Sequence, residues 1–311
     1  MSRAGSSAAP KDPREKALLY RRWLMSSAIA IAEADGVAGI SVARVIAAAG
    51  VSRKVFYDTF SDVEDCLGAA LEQVFDSATE AIAASHRSEE SWREATRAAL
   101  GTLLALAEQQ RALARVCVIE TLRGGPRLQR LRQRAMVRAQ EAIDRGAREP
   151  GARTPPALTA EALVGGIAEL LRARLAANAH EPLTELTAPC MSMIVLAYLG
   201  PSAAAQELDR AAPASNRVAE WGPLLRRKPA IRGPRLTYRT VRVLDAIAEH
   251  PGSPNREVAR LAGIADQGQI SKLLKRLAAG TLIENHAGEQ NGNAWWLTDA
   301  GREFHASIAP R

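Results

Sequence analysis

Residues 41–60 read SVARVIAAAGVSRKVFYDTF, and the way this stretch folds decides the rest. Ser41 is placed to cap a short helix over residues 42–48, and Gly50 stops it. After the turn Ala49-Gly50-Val51, Ser52 caps another short helix that runs to about Asp58. Val45, Ile46, Val51 and Phe56 fall on the side facing the turn and pack inward. The other side presents Ser52, Arg53, Lys54 and Tyr57 to solvent. Two adjacent cations and a hydroxyl at a helix N-terminus suit a phosphate, because the unbonded amides and the helix dipole also favour an anion there. A helix of this size fits a DNA major groove.

Helical periodicity continues in both directions. Upstream, Tyr20, Leu24, Ala28 and Ile31 share one face of a helix over residues 15–34, closed by Asp35-Gly36. Downstream, Ser61-Asp62-Val63-Glu64 has capping-box spacing, with Ser61 and Glu64 each bonding the other's backbone amide. It opens a long helix with Leu67, Leu71, Val74, Ala78 and Ile82 on one face. Further helices follow at about 89–109, 111–122, 126–148, 159–178 and 183–199, separated by Pro- and Gly-containing stretches. Nothing here alternates with period two, so residues 14–211 read as all-α.

Residues 212–236 differ: Pro213, Pro223, Pro229 and Pro234 interrupt any helix, and Arg226-Arg227-Lys228 is a basic run. Beyond this linker come three helices. Val241, Leu244 and Ile247 mark the first, and Ser253-Pro254 reads as the cap and first residue of the second. The third turns Ile270, Leu273 or Leu274, and Leu277 inward. Gln267, Gln269, Lys272, Lys275 and Arg276 lie on or near its opposite face. Gln can pair with adenine edges, while Lys and Arg suit guanine or phosphate. Residues 281–284 and 294–297 read as two strands around a Gly- and Asn-rich loop, and Thr298 caps a closing helix.

Composition narrows the function classes. The chain has 311 residues, 47% of them apolar and 24% charged, enough for two or three domains with cores of their own. Its three cysteines are far apart, with no CxxC pair, which fits a reducing cytoplasm. The longest apolar run, 188–199, is too short to span a bilayer, and the N-terminal 13 residues read as a disordered tail with no signal-peptide core. There is no HExxH, P-loop, GxSxG or GxGxxG after a strand, so neither an enzyme nor a metal or cofactor site is expected. The net charge of +7 is uneven: residues 1–60 carry +4, 61–212 carry −3, 213–236 carry +5 and 237–311 carry +1. Basic flanks around an acidic body point to a polyanion bound at the ends.

The residues around 14–74 resemble the DNA-binding domain of TetR-family transcriptional regulators. The likeness lies in Ser41, Ile46-Ala47, Ala49-Gly50-Val51-Ser52 and the Phe56-Tyr57…Phe60 ending. It implies that Ser41, Arg44, Ser52, Arg53, Lys54 and Tyr57 touch double-stranded DNA. Thr59 and Val63 depart from the family, which often has an aromatic or His at the first position and usually has Lys at the second. Leu163-Val164-Gly165-Gly166-Ile167-Ala168-Glu169-Leu170-Leu171 is similar to the family's penultimate helix, which implies a four-helix homodimer interface completed by Leu186, Met193, Leu196, Ala197 and Leu199. The family's body also implies room for a small-molecule effector. Trp92, Cys117, Glu120, Glu169, Met191 and Tyr198 are conceivable lining residues, although each reads more readily as core or surface. Arg127, Arg130, Arg132, Arg134 and Arg138 read as a solvated face with Glu141 and Asp144 as acidic neighbours.

Residues 237–308 resemble a MarR-like winged helix-turn-helix, carried by Gln267–Leu277 and by Leu297-Thr298-Asp299-Ala300-Gly301-Arg302. Such a domain either reads DNA or binds another protein, and the sequence leaves both open. The expected fold is mainly α: a tail (1–13), a TetR-like helix-turn-helix domain (14–60), an all-α dimerisation and effector-binding domain (61–211), a basic Pro-rich linker (212–236) and a winged helix-turn-helix domain with a small β-hairpin (237–311). The expected function is a cytoplasmic homodimeric regulator of transcription, a repressor, on a pseudo-palindromic operator.

Overall fold

The computed structural model describes residues 13–86, 91–177, 181–210, 237–287 and 293–308. The linker and its Arg226-Arg227-Lys228 run lie outside the described residues, as does most of the loop between the two expected strands. The described residues divide into two compact units: those within 1–27, 42–61 and 226–311 form one, and those within 28–41 and 62–225 the other. Helix α1 (Pro13–Asp35) contributes to both.

In the first unit, α2 (Val42–Ala49) and α3 (Arg53–Tyr57) are joined through Gly50, whose φ of +68° is one that a side chain would disfavour. Val45, Val51 and Phe56 are buried, as the sequence requires, and Ala49 joins them, whereas Ile46 is only half-buried. Ser52 caps α3 by accepting from the Val55 amide at 3.3 Å. Phe56 packs against Phe60, and the Arg21 guanidinium of α1 lies 4.7 Å over the Phe60 ring.

The C-terminal part of this unit begins with α12 (Tyr238–Glu249), opened by a reciprocal capping box between Thr237 and Thr240. It continues with β1 (Ser253–Pro254), α13 (Asn255–Ala262), α14 (Gln267–Ala279), β2 (Ile283–Ala287), β3 (Asn293–Leu297) and α15 (Asp299–Ile308). The strands form an antiparallel sheet in the order β1-β3-β2, with Ile283 opposite Leu297 and Ser253 opposite Trp295. Ser253-Pro254 is thus an edge strand and not the start of a helix. An edge tolerates proline, because only one side of the strand is hydrogen-bonded. Asp266 caps α14, accepting from the Gly268 and Gln269 amides at 2.8 and 3.1 Å, and these bonds hold its carboxyl below the usual range. Thr298 caps α15 as expected, accepting from the Gly301 amide at 2.9 Å.

The second unit is all-helical among its described residues. It contains α4 (Val63–His86), α5 (Trp92–Gln109), α6 (Arg111–Arg115), α7 (Thr121–Arg123), α8 (Pro126–Asp144), α9 (Thr159–Ala176), α10 (Thr187–Leu199) and α11 (Pro201–Leu208). The cap of α4 sits one residue later than the capping box requires: Asp62 accepts from the Asp65 amide at 2.8 Å. Glu64 instead accepts from the Arg127 amide at 3.0 Å and ties α4 to the start of α8. The expected single helix over 111–122 is interrupted by a π-helical segment, Val116–Glu120, where buried Thr121 donates its hydroxyl to the Cys117 carbonyl at 2.6 Å. Leu104, Leu175, Met191, Val195 and Tyr198 anchor the core.

Candidate nucleic-acid interface

The geometry of α3 follows from its two faces. Phe56 is fully buried on one side, while Arg53, Lys54 and Tyr57 are exposed, Tyr57 by 51%. Arg53 lies 5.9 Å over the Tyr57 ring, and Lys54 pairs with Asp58 at 3.2 Å across one helical turn. Because that pair is exposed, it is weak and its cation can be released to a stronger anion. Arg44 is exposed on α2, and Ser41 is half-buried immediately before it. The Ser52 hydroxyl is used by its own helix, so it positions the helix as well as lying near its surface.

On α14, Gln267, Gln269, Lys272, Lys275 and Arg276 are all exposed. They divide into two groups. Gln269, Lys272 and Arg276 line a cleft of about 640 Å³ together with Lys16 and Tyr20 of α1 and Arg239 of α12, whereas Gln267 and Lys275 do not. Sequence reasoning missed Lys16, Tyr20 and Arg239. The i,i+4 spacing of Lys16 and Tyr20 was a signal, and the ammonium lies 5.6 Å over the ring. Nothing local marked Arg239.

The body holds a cavity of about 670 Å³. Phe75, Ile82, Leu104, Met136 and Ile167 supply apolar wall, and Arg132 and Arg138 supply charge. Of the residues singled out earlier, Trp92, Cys117 and Glu169 line it. Met191 and Tyr198 belong to the core, where the Tyr198 hydroxyl donates to Asp144 at 3.0 Å. Glu120 accepts from the Val37 amide at 3.1 Å, holding the short 3-10 turn Val37–Gly39 that precedes α2. Two arginines of α8 find acids on α4: Arg127 pairs with Asp65 and Glu72, and Arg134 with Glu72. Burial pushes the Cys117 thiol up to about 12, so it is a poor nucleophile and a poor redox sensor.

On α9 and α10, Gly165, Gly166, Leu170, Met193 and Leu196 are exposed, Leu196 by 51%. Among the described residues, no helix is long and apolar enough to cross a membrane, and no group of three acidic, His or Cys side chains is placed to hold a metal.

No protein-family model matches this chain, and no curated protein matches it in sequence. Solved structures match it in fold. The fatty acid degradation regulator FadR from Bacillus halodurans has a TM-score of 0.51 at 16% identity, over 60% of this chain and 96% of that one. SmeT, the repressor of the Stenotrophomonas maltophilia multidrug efflux pump SmeDEF, has a TM-score of 0.51 at 19% identity, over 64% and 96%. This chain shares the fold of those two regulators. A TetR-family transcription regulator from Marinobacter aquaeolei VT8 is a weaker likeness, with a TM-score of 0.48 at 21% identity over 60% and 98%. At these identities the likeness is one of fold, and a fold does not fix an activity.

Proposed function

We propose that this chain is a DNA-binding regulator of transcription that acts as a homodimer and represses from a pseudo-palindromic operator. The observation that carries this reading is α3: a capped helix with a buried aromatic on one face and Arg53, Lys54 and Tyr57 exposed on the other. The dipole and unbonded amides at its start reinforce the attraction for a phosphate. Ser41 and Arg44 of the preceding helix contact the same duplex in this reading. The exposed Gly165-Gly166 and Leu170 of α9, with Met193 and Leu196 of α10, form the face where two copies meet. The C-terminal domain is a winged helix-turn-helix that contacts DNA through α14.

The body cavity takes an apolar small molecule, in keeping with its largely aliphatic wall. Cys117 lines it from the π-helical segment that ends in Glu120, and Glu120 holds the Val37 amide just before α2. Occupancy therefore biases the turn leading into the DNA-reading helices, provided the ligand binds the two arrangements unequally.

Enrichment of duplexes from a random pool by the full chain tests this function, followed by footprinting of the enriched sequence. The expected result is a two-fold related motif whose protection is lost when Arg53, Lys54 and Tyr57 are replaced by Ala. Absence of any enriched motif overturns it.

A further inference from the structure

The exposed face of α14 is flanked. Lys16 and Tyr20 of α1 and Arg239 of α12 share a cleft with Gln269, Lys272 and Arg276. Four of these six side chains are cations, and no carboxylate lines the cleft among the described residues. Two features decide what it can take. First, Arg239 Nη1 donates to Gln269 Oε1 at 2.7 Å. The amide oxygen that would accept from an adenine amino group is thereby engaged, and a guanidinium is fixed beside it. Second, a helix enters a major groove about 12 Å wide only if its reading face protrudes, since a helix with side chains fills about 10–12 Å. Here Lys16 and Tyr20 of α1 line the same cleft as the row Gln269, Lys272, Arg276. A phosphodiester backbone matches the four cations in charge and asks for no base-specific partner.

We propose that this cleft is a clamp for the phosphodiester backbone of duplex DNA, built jointly by α1, α12 and α14. It supplies sequence-independent affinity, while base reading rests with α3. The inference builds on the DNA-binding function proposed above and narrows the role of the C-terminal domain from second sequence reader to backbone grip.

The test uses the full chain and two probes: a random-sequence duplex pool, and the duplex that the wild type enriches from it. Affinity is measured between about 50 and 200 mM salt. The variants are Lys272→Ala/Arg276→Ala and Lys16→Ala/Arg239→Ala, with Arg130→Ala/Arg148→Ala removing two exposed cations far from the cleft in sequence. Each cleft pair is expected to reduce the slope of log affinity against log salt by roughly two, at about 0.9 per lost phosphate contact. The reduction should be equal on both probes, with the enriched sequence unaltered and the control pair silent. An unchanged slope in both cleft variants overturns the clamp, and so does a variant that enriches a different sequence, since the cleft then reads bases. If the wild type enriches no sequence, the proposed regulatory function fails. In that case the slopes on the random pool still decide the clamp.

Discussion

Glu207 is wholly buried on α11, and three arginines converge on it: Arg93 and Arg97 from α5, and Arg210 at 3.4 Å. Arg97 is itself only 4% exposed, so the pair is an ion pair removed from water. Such pairs contribute little against an apolar substitute, but removing one partner strands the other charge at a cost of about 3–5 kcal/mol. Glu207→Gln is therefore expected to lower the urea unfolding midpoint strongly, and a loss under about 1 kcal/mol would refute the burial argument. Nearby, the bidentate bond from Arg210 holds the Glu94 carboxyl below the usual carboxylate range, with burial opposing it and the charges of Arg210, Arg93 and Arg97 assisting. A depressed folded-state pKa contributes stability above the unfolded value of about 4.3, and that contribution disappears as pH falls through the folded value. Thermal melts on acidification from about pH 5 to 3 should fall more steeply for the wild type than for Glu94→Gln. Equal slopes would show that the Arg210 bond adds nothing to folding.

At the scale of elements, the short-range chemistry was readable and the long-range chemistry was not. The caps at Ser52 and Thr298, the stop at Gly50 and the buried set Val45, Val51 and Phe56 depend on neighbours a few residues away, so spacing sufficed. Ser253-Pro254 departs from its cap reading because cap-Pro and edge-strand-Pro look alike locally; the partner that decides between them, Trp295, is some forty residues on. Spacing alone places Glu64 in a local box, yet its carboxylate accepts from the Arg127 amide on a distant helix. The π-helical segment has no periodicity signal at all. The three clefted residues of α14 were legible as an exposed polar face, but not the α1 residues that share their cleft. Gly301 shows how such remote geometry can be tested. A β-carbon there would lie 1.8 Å from the Leu282 carbonyl oxygen, where α15 meets the chain entering β2. Both sides of that contact are backbone, so Gly301→Ala must displace one of them. The expected outcome is a C-terminal domain that melts earlier or is cleaved faster by protease, with the α3-dependent DNA motif retained. An unaltered melt would mean that α15 shifts without cost.

For the whole molecule, the question is whether two copies are needed. Leu170, Met193 and Leu196 expose apolar surface on two successive helices, and Gly165 and Gly166 next to them have nothing within 4 Å of an added β-carbon. Small residues among exposed aliphatics allow two backbones to approach closely, which a solvated face does not require. If this face pairs two copies, each dimer carries two α3 helices, and half-sites about one helical turn apart, or a multiple of it, are read together. Met193→Asp/Leu196→Asp places two carboxylates on that face without touching the buried side of α10, where Ile194, Val195 and Tyr198 sit. Light scattering should then report the 33.3 kDa chain mass in place of twice that value. Affinity for a two-fold operator should drop by at least about tenfold, because the second half-site is no longer bound intramolecularly, while affinity for a single half-site stays the same. A variant that remains dimeric would move the interface elsewhere. One that becomes monomeric yet binds the full operator undiminished would mean that each α3 reads its half-site alone.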